Sequence, residues 1–160
     1  MKKINIRGLA TSAAIAAAYV VMTLPFASFS FGFIQFRIAE ILCILPFYSV
    51  YAVFGVFIGC LISNLLFSSF IDVIVGSLAT LLAAYLTYKC KHMLLAPVFP
   101  ILINAVAIGL MLSILSGSFS IVLMLSYMGS IAVSQFIICF AIGVPVMRIL
   151  NKYLLKKPIQ

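Results

Sequence analysis

The sequence predicts an all-α integral membrane protein, a six-transmembrane-helix bundle forming a single membrane-embedded domain over residues 1–160. Three observations carry that expectation. Hydrophobic residues make up 66% of the chain and charged residues 8%, whereas soluble domains run near roughly 25% charged because water must wet their surface. A soluble chain of this length cannot hide so much apolar side chain in one core, but lipid solvates the outside of a bundle. Most of the apolar runs are long enough to cross a hydrocarbon layer of about 30 Å, and the basic residues lie at their borders.

The first run, 8–29, follows Lys2, Lys3 and Arg7. A basic start before an apolar stretch has the form of a secretory signal, yet hydrophobicity continues through the remainder, which favours a retained helix. Ala10, Ala14 and Ala18 recur every four residues, giving this helix a slim face that another helix can approach. An aromatic connection over 28–36, interrupted by Gly32, leads into a short apolar run, 36–47, ended by Pro46. That second run is too short to span comfortably unless it tilts, continues to residue 50 or lies against protein.

The third run, 52–67, carries Gly55, Gly59 and Ser63 on one face, with Asn64 near its end. Asp72 opens the fourth, 72–88, sharing a face with Gly76 and Thr80. An aspartate there either caps the helix or binds a cation, a ring N–H group or an amine. The fifth, 95–115, begins at Pro97 and Pro100, contains Asn104 and Gly109, and stops before Gly117. The sixth, 121–150, holds Ser134 and Gln135 before Pro145; a helix so long tilts, kinks or extends beyond the bilayer.

Ten Lys and Arg against two acids give a net charge of +8. The cations cluster at the N-terminus, at Lys89 and Lys91 beside His92, and at Arg148, Lys152, Lys156 and Lys157. Six crossings place all three clusters on one side, so both termini are expected in the cytoplasm, and the connections near residues 32, 70 and 117, which lack Lys and Arg, face outward. Charge distributed in this way sets topology and attracts anionic headgroups; it forms no contiguous basic face for nucleic acid.

The same topology gathers Arg37, Glu40, Asn64 and Asp72 toward the outer side. Ionisable groups inside a membrane are costly and mark candidate sites. Arg37 and Glu40, three residues apart, can neighbour one another on a helix, either as a salt bridge that fixes the connection or as ligand contacts, with Arg37 orienting Glu40. Gln35, Asn64 and Asn104 supply donors and acceptors for the edge of a planar heterocycle, or for bonds between helices. Phe33 and Phe36 flank the polar segment and can stack on an aromatic ligand.

A catalytic role finds little support. His92 and Cys90 have no acid or metal-site partnership, and Cys43, Cys60 and Cys139 lie in apolar runs as small hydrophobes do. No Walker A or HExxH motif is present. The expectation is therefore a protein that is not an enzyme and holds no metal or cofactor of its own. Uptake against a gradient would then draw on a coupled ion or on partner proteins.

The stretches FGFIQFRIAEILCILPF at 31–47, IGCLISNLL at 58–66, IDVIVGSLATLLAA at 71–84, FPILINAVAIG at 99–109 and YMGSIAVSQFIICFAIGVP at 127–145 resemble the QueT family, in order and over most of the chain. The resemblance implies the substrate-binding S-component of an energy-coupling factor (ECF) transporter in a bacterial cell membrane, taking up a queuosine precursor of 7-deazaguanine type such as preQ1, preQ0 or queuine. It implies partnership with a transmembrane scaffold subunit and two cytoplasmic ABC ATPases that use ATP and Mg. It implies that Ala10, Ala14 and Ala18 form the scaffold-coupling face, and that Glu40 and Asp72 lead in recognition. The family pattern favours an acid near Ser134 and Gln135; Gln135 keeps hydrogen bonding without charge, which suits a neutral base or a different deazapurine. An S-component for another vitamin or nucleobase, and a structural or regulatory membrane subunit without transport, are the alternatives.

Overall fold

The computed structural model describes residues 6–27, 36–117 and 120–152; Phe33 and Gln35 fall outside them. Among the described residues every regular element is helical. Helix α1 is Ile6–Thr23, followed by a 3-10 turn at Leu24–Phe26. A short 3-10 helix, Ile38–Phe47, precedes α2, Val50–Phe67, and α3, Phe70–Lys89. Helix α4 is Val98–Leu115 and α5 is Ile121–Phe136, which passes through a π-helical segment, Ile137–Gly143, into α6, Val144–Leu150. Five of these stretches are long and apolar enough to cross a membrane, the last being α5 through α6 taken together.

The sixth expected crossing is a partial one. Ten residues at about 2.0 Å per residue reach about 20 Å, short of a hydrocarbon layer of about 30 Å. Protein covers what lipid does not: Ala39, Glu40, Ile41, Cys43, Ile44 and Pro46 are buried. The helix is wedged against α1, α2, α3 and the π segment. The long final helix stays continuous by widening ahead of Pro145, where the Val144 N–H bonds back to the Cys139 carbonyl. Proline removes a donor and crowds the preceding turn, and a wider turn accommodates both.

Local chemistry sets the helix ends. Ser49 accepts from the Tyr51 N–H at the start of α2, and Ser69 accepts from the Asp72 N–H at the start of α3, each satisfying a donor left open in the first turn. The cap of α3 is thus Ser69, and Asp72 sits in the first turn with its carboxylate free to act elsewhere. Gly117, with φ of 74°, ends α4 in the left-handed conformation, which glycine adopts without a Cβ penalty.

Consecutive long helices pack side by side, α1 on α2, α2 on α3, α3 on α4 and α4 on α5. The glycine stripe of α2 lies against α1. A Cβ on Gly55 would come within 2.8 Å of the Ser12 carbonyl oxygen, and one on Gly59 within 3.0 Å of the Ala16 carbonyl oxygen, so the backbones touch where small residues permit it. The Ser12 hydroxyl donates to the Tyr51 carbonyl at 2.7 Å across the same seam. On its opposite side α1 exposes Ala10, Ala14 and Ala18, and a smaller share of it is buried than of any other long helix. Leu9, Phe54, Leu78, Leu102 and Val122 are among many large apolar side chains facing outward, as lipid-solvated surfaces require.

The two ends of the bundle differ in charge. Arg7, Lys89, Lys91, His92, Arg148 and Lys152 belong to one end, where Ile44, Met93, Ala96, Ile101 and Met147 form a core cluster. The other end holds Arg37, Glu40 and Asp72, the last two being the only acids in the chain.

Candidate functional site

At the acidic end, polar side chains from α1, the short helix, α2, α3 and the long final helix meet inside the bundle. The short helix begins just after Arg37, which is extended (φ −98°, ψ 92°). That geometry turns Arg37 away from the helical neighbour expected of it. Its guanidinium Nη2 donates to Asp72 Oδ2 at 2.9 Å, with both side chains about 4% exposed or less. Arg37 therefore forms its ion pair with Asp72, where residue spacing had suggested Glu40. Ser68 Oγ donates to the same Asp72 oxygen, and Asp72 Oδ1 has no partner among the described residues.

Glu40 is fully buried and is held by neutral donors. Tyr19 Oη of α1 donates to Oε1 at 3.0 Å, and Cys43 Sγ donates to Oε2 at 2.7 Å. In a 3-10 helix residues three apart eclipse, so Cys43 stands directly over Glu40. From the π segment, Cys139 Sγ contacts the Glu40 carbonyl at 3.7 Å and Gln135 Oε1 at 3.9 Å. Gln135 is thereby tied to the surroundings of Glu40 through one thiol.

Asn64 joins α2 to α3. Its Nδ2 donates to the Asp72 carbonyl at 3.2 Å, Ser77 Oγ at 3.3 Å and Cys60 Sγ at 3.5 Å. Cys60 in turn lies 3.3 Å from Thr80 Oγ1. Gly76 makes this possible: a Cβ there would sit 2.7 Å from Asp72 Oδ1 and 3.0 Å from Asn64 Nδ2. Among the described residues Asn64 Oδ1 has no partner, nor does the side-chain amide of Asn104, fully buried on α4. Unsatisfied buried polar atoms are rare and costly.

A cleft of about 180 Å³ opens beside Asp72, between the α2–α3 turn and the end of α4, lined by Phe67, Ser68, Ser69, Met111, Leu112 and Leu115. It falls below the roughly 300 Å³ at which small-molecule sites usually begin. Phe36 is half-buried and packs on the apolar cluster around Ile44.

Of the residues singled out in the sequence, the structure joins Arg37 with Asp72, Asn64 with Asp72, and Glu40 with Gln135 through Cys139. Among the described residues it gives the Asn104 amide no polar partner. The sequence pattern does not single out Tyr19, Cys43, Cys139, Ser68 or Ser77 as polar partners in the site. The signal for Tyr19 was its place as a phenol amid alanines, at a spacing shared with Ser12, Ala16 and Thr23, the buried face of α1. The cysteines are buried as expected, but their thiols serve Glu40 and Thr80 as well as apolar packing.

A family model described as QueT transporter matches residues 9–152. A curated relative, the queuosine precursor transporter QueT of Lactococcus lactis subsp. cremoris, is 42% identical over 83 residues, which are 51% of this chain and 49% of the relative. The chain thus spans about half the length of the curated relative it matches. No solved structure matches it.

Proposed function

This chain belongs to the QueT transporter family, and from that premise we propose that it captures a queuosine precursor of 7-deazaguanine type for uptake across a bacterial cell membrane. The observation that carries the reading is the buried polar seam of Tyr19, Arg37, Glu40, Asn64, Asp72 and Gln135 at one end of a largely apolar bundle. Such groups are expensive in a membrane unless they serve a ligand or one another. Here several atoms, including Asp72 Oδ1, Asn64 Oδ1 and the Asn104 amide, lack partners among the described residues.

In this reading residues 1–160 act as one substrate-binding domain, the S-component of an ECF-type importer. The acidic end faces outward and both termini lie in the cytoplasm, as the basic end favours. The base enters between the short helix, α3 and α4. Its N–H edge meets carboxylate and amide oxygens, its carbonyl meets amide N–H groups, and Phe36 covers its ring; Phe33 and Gln35 are further proposed ligand contacts. The chain performs no chemistry and carries no cofactor. A scaffold subunit docks on the exposed Ala10, Ala14 and Ala18 of α1, and two ATPase subunits using ATP and Mg drive the reorientation.

Purification in detergent, mass spectrometry of any retained ligand, and calorimetric titration with a deazapurine and vitamin panel test this reading. A deazaguanine is expected to bind, and a well-folded preparation that binds no member of the panel would overturn it. A second reading, an S-component for a related neutral base or another vitamin, is favoured by Gln135, which stands uncharged where the family pattern favours an acid. Competition within the same panel separates the two.

A further inference from the structure

The two buried acids differ in how their charge is balanced. Asp72 is paired with Arg37 at 2.9 Å. Glu40 has no exposed surface and, among the described residues, no cation within ion-pair distance. The adjoining stretch 28–35 contains no Lys, Arg or His. Both carboxylate oxygens of Glu40 are held by neutral donors, the Tyr19 phenol and the Cys43 thiol. One cation thus faces two acids inside the bundle. A buried carboxylate is costly unless a cation joins it, and a phenol with a thiol offset part of that cost without cancelling the charge.

We propose that Glu40 selects the ligand by charge, pairing with a protonated amine carried on the base, while the Arg37–Asp72 pair is an internal latch that shapes the site and takes no ligand cation. This rests on the capture of a deazapurine proposed above. Removing Asp72 from the latch would strand Arg37, so Asp72 is already committed. Glu40 is uncommitted, and its neutral donors can rotate aside or remain as a second layer around the ion pair. Cys139 touches both the Glu40 carbonyl and the Gln135 amide, which sets that neutral amide beside the backbone of Glu40.

Two probes that differ in one substituent test the assignment: the aminomethyl deazaguanine, cationic at neutral pH, and its uncharged nitrile counterpart, each titrated into the full chain in detergent. The wild-type chain is expected to bind the amine at least about tenfold more tightly than the nitrile. Glu40→Gln is expected to weaken the amine about 100-fold and the nitrile by less than about threefold, as loss of one partner of a buried charge pair does. Asp72→Asn is expected to weaken both by a similar factor and to lower the unfolding temperature. A wild-type chain without preference overturns the proposal, whether or not the variants fold. So does a preference that survives in Glu40→Gln, or one that disappears in Asp72→Asn instead. Binding of both bases without preference removes this assignment and leaves deazapurine capture standing, whereas binding of neither removes both.

Discussion

Arg37 and Asp72 show how a membrane interior treats charge. Breaking a buried pair leaves one ion uncompensated at a cost of about 3–5 kcal/mol, while replacing both partners with apolar groups is far milder. Arg37→Met and Asp72→Leu, each alone, are therefore expected to lower the unfolding temperature in detergent more than the double variant does. A double variant at least as unstable as the sum of the singles would show that the pair is no latch. Glu40 and Asp72 were legible from the sequence because two acids in so apolar a chain need a reason. The partner of Arg37 was not, because the reach of its side chain across to α3 depends on an extended backbone that residue spacing does not reveal. Tyr19, Cys43 and Cys139 were illegible for another reason: phenols and thiols are at home in apolar surroundings, and their polar work appears only when an acceptor faces them.

At the level of helices, the glycines of α2 are the clearest case of pattern becoming contact. Gly55→Ala would set a methyl 2.8 Å from a backbone oxygen of α1, and overpacking of this kind costs about 1–3 kcal/mol. Gly129→Ala on α5 meets nothing within 4 Å and gains up to about 1 kcal/mol of helix propensity. Thermal unfolding is expected to fall for the first and hold or rise for the second; the reverse order would mean that α1 and α2 do not meet along this stripe. The long helices were readable from run length and their breaks at Gly, Pro and Ser. The short helix was readable as an apolar run but not as a 3-10 helix, since nearly every residue in it is apolar and no polar periodicity separates a three-residue turn from an α turn. Pro145 foretold a disturbance in the last helix, though not that a π turn would absorb it.

For the molecule as a whole, separation of the basic end from the acidic end makes orientation measurable. Cys43, Cys60 and Cys139 are buried and Cys90 is half-buried at the basic end. A membrane-impermeant thiol reagent is expected to label Cys90 from the cytoplasmic side. It is expected to label Ser120→Cys, at an exposed position that makes no side-chain cap bond, from outside. Labelling of both from the same side would contradict the proposed topology. Replacement of Ala14 with Leu enlarges the exposed face of α1 and is expected to reduce scaffold association severalfold while leaving ligand affinity unchanged, read by co-purification and titration; unaltered association would place the docking face elsewhere.

Helix α1 presents two unlike sides within a single turn. Tyr19 reaches inward to Glu40, and Ala18, its neighbour in the chain, looks out from the bundle. A buried acid and a bare outer face are thus one residue apart on a single rigid rod, with no loop between them.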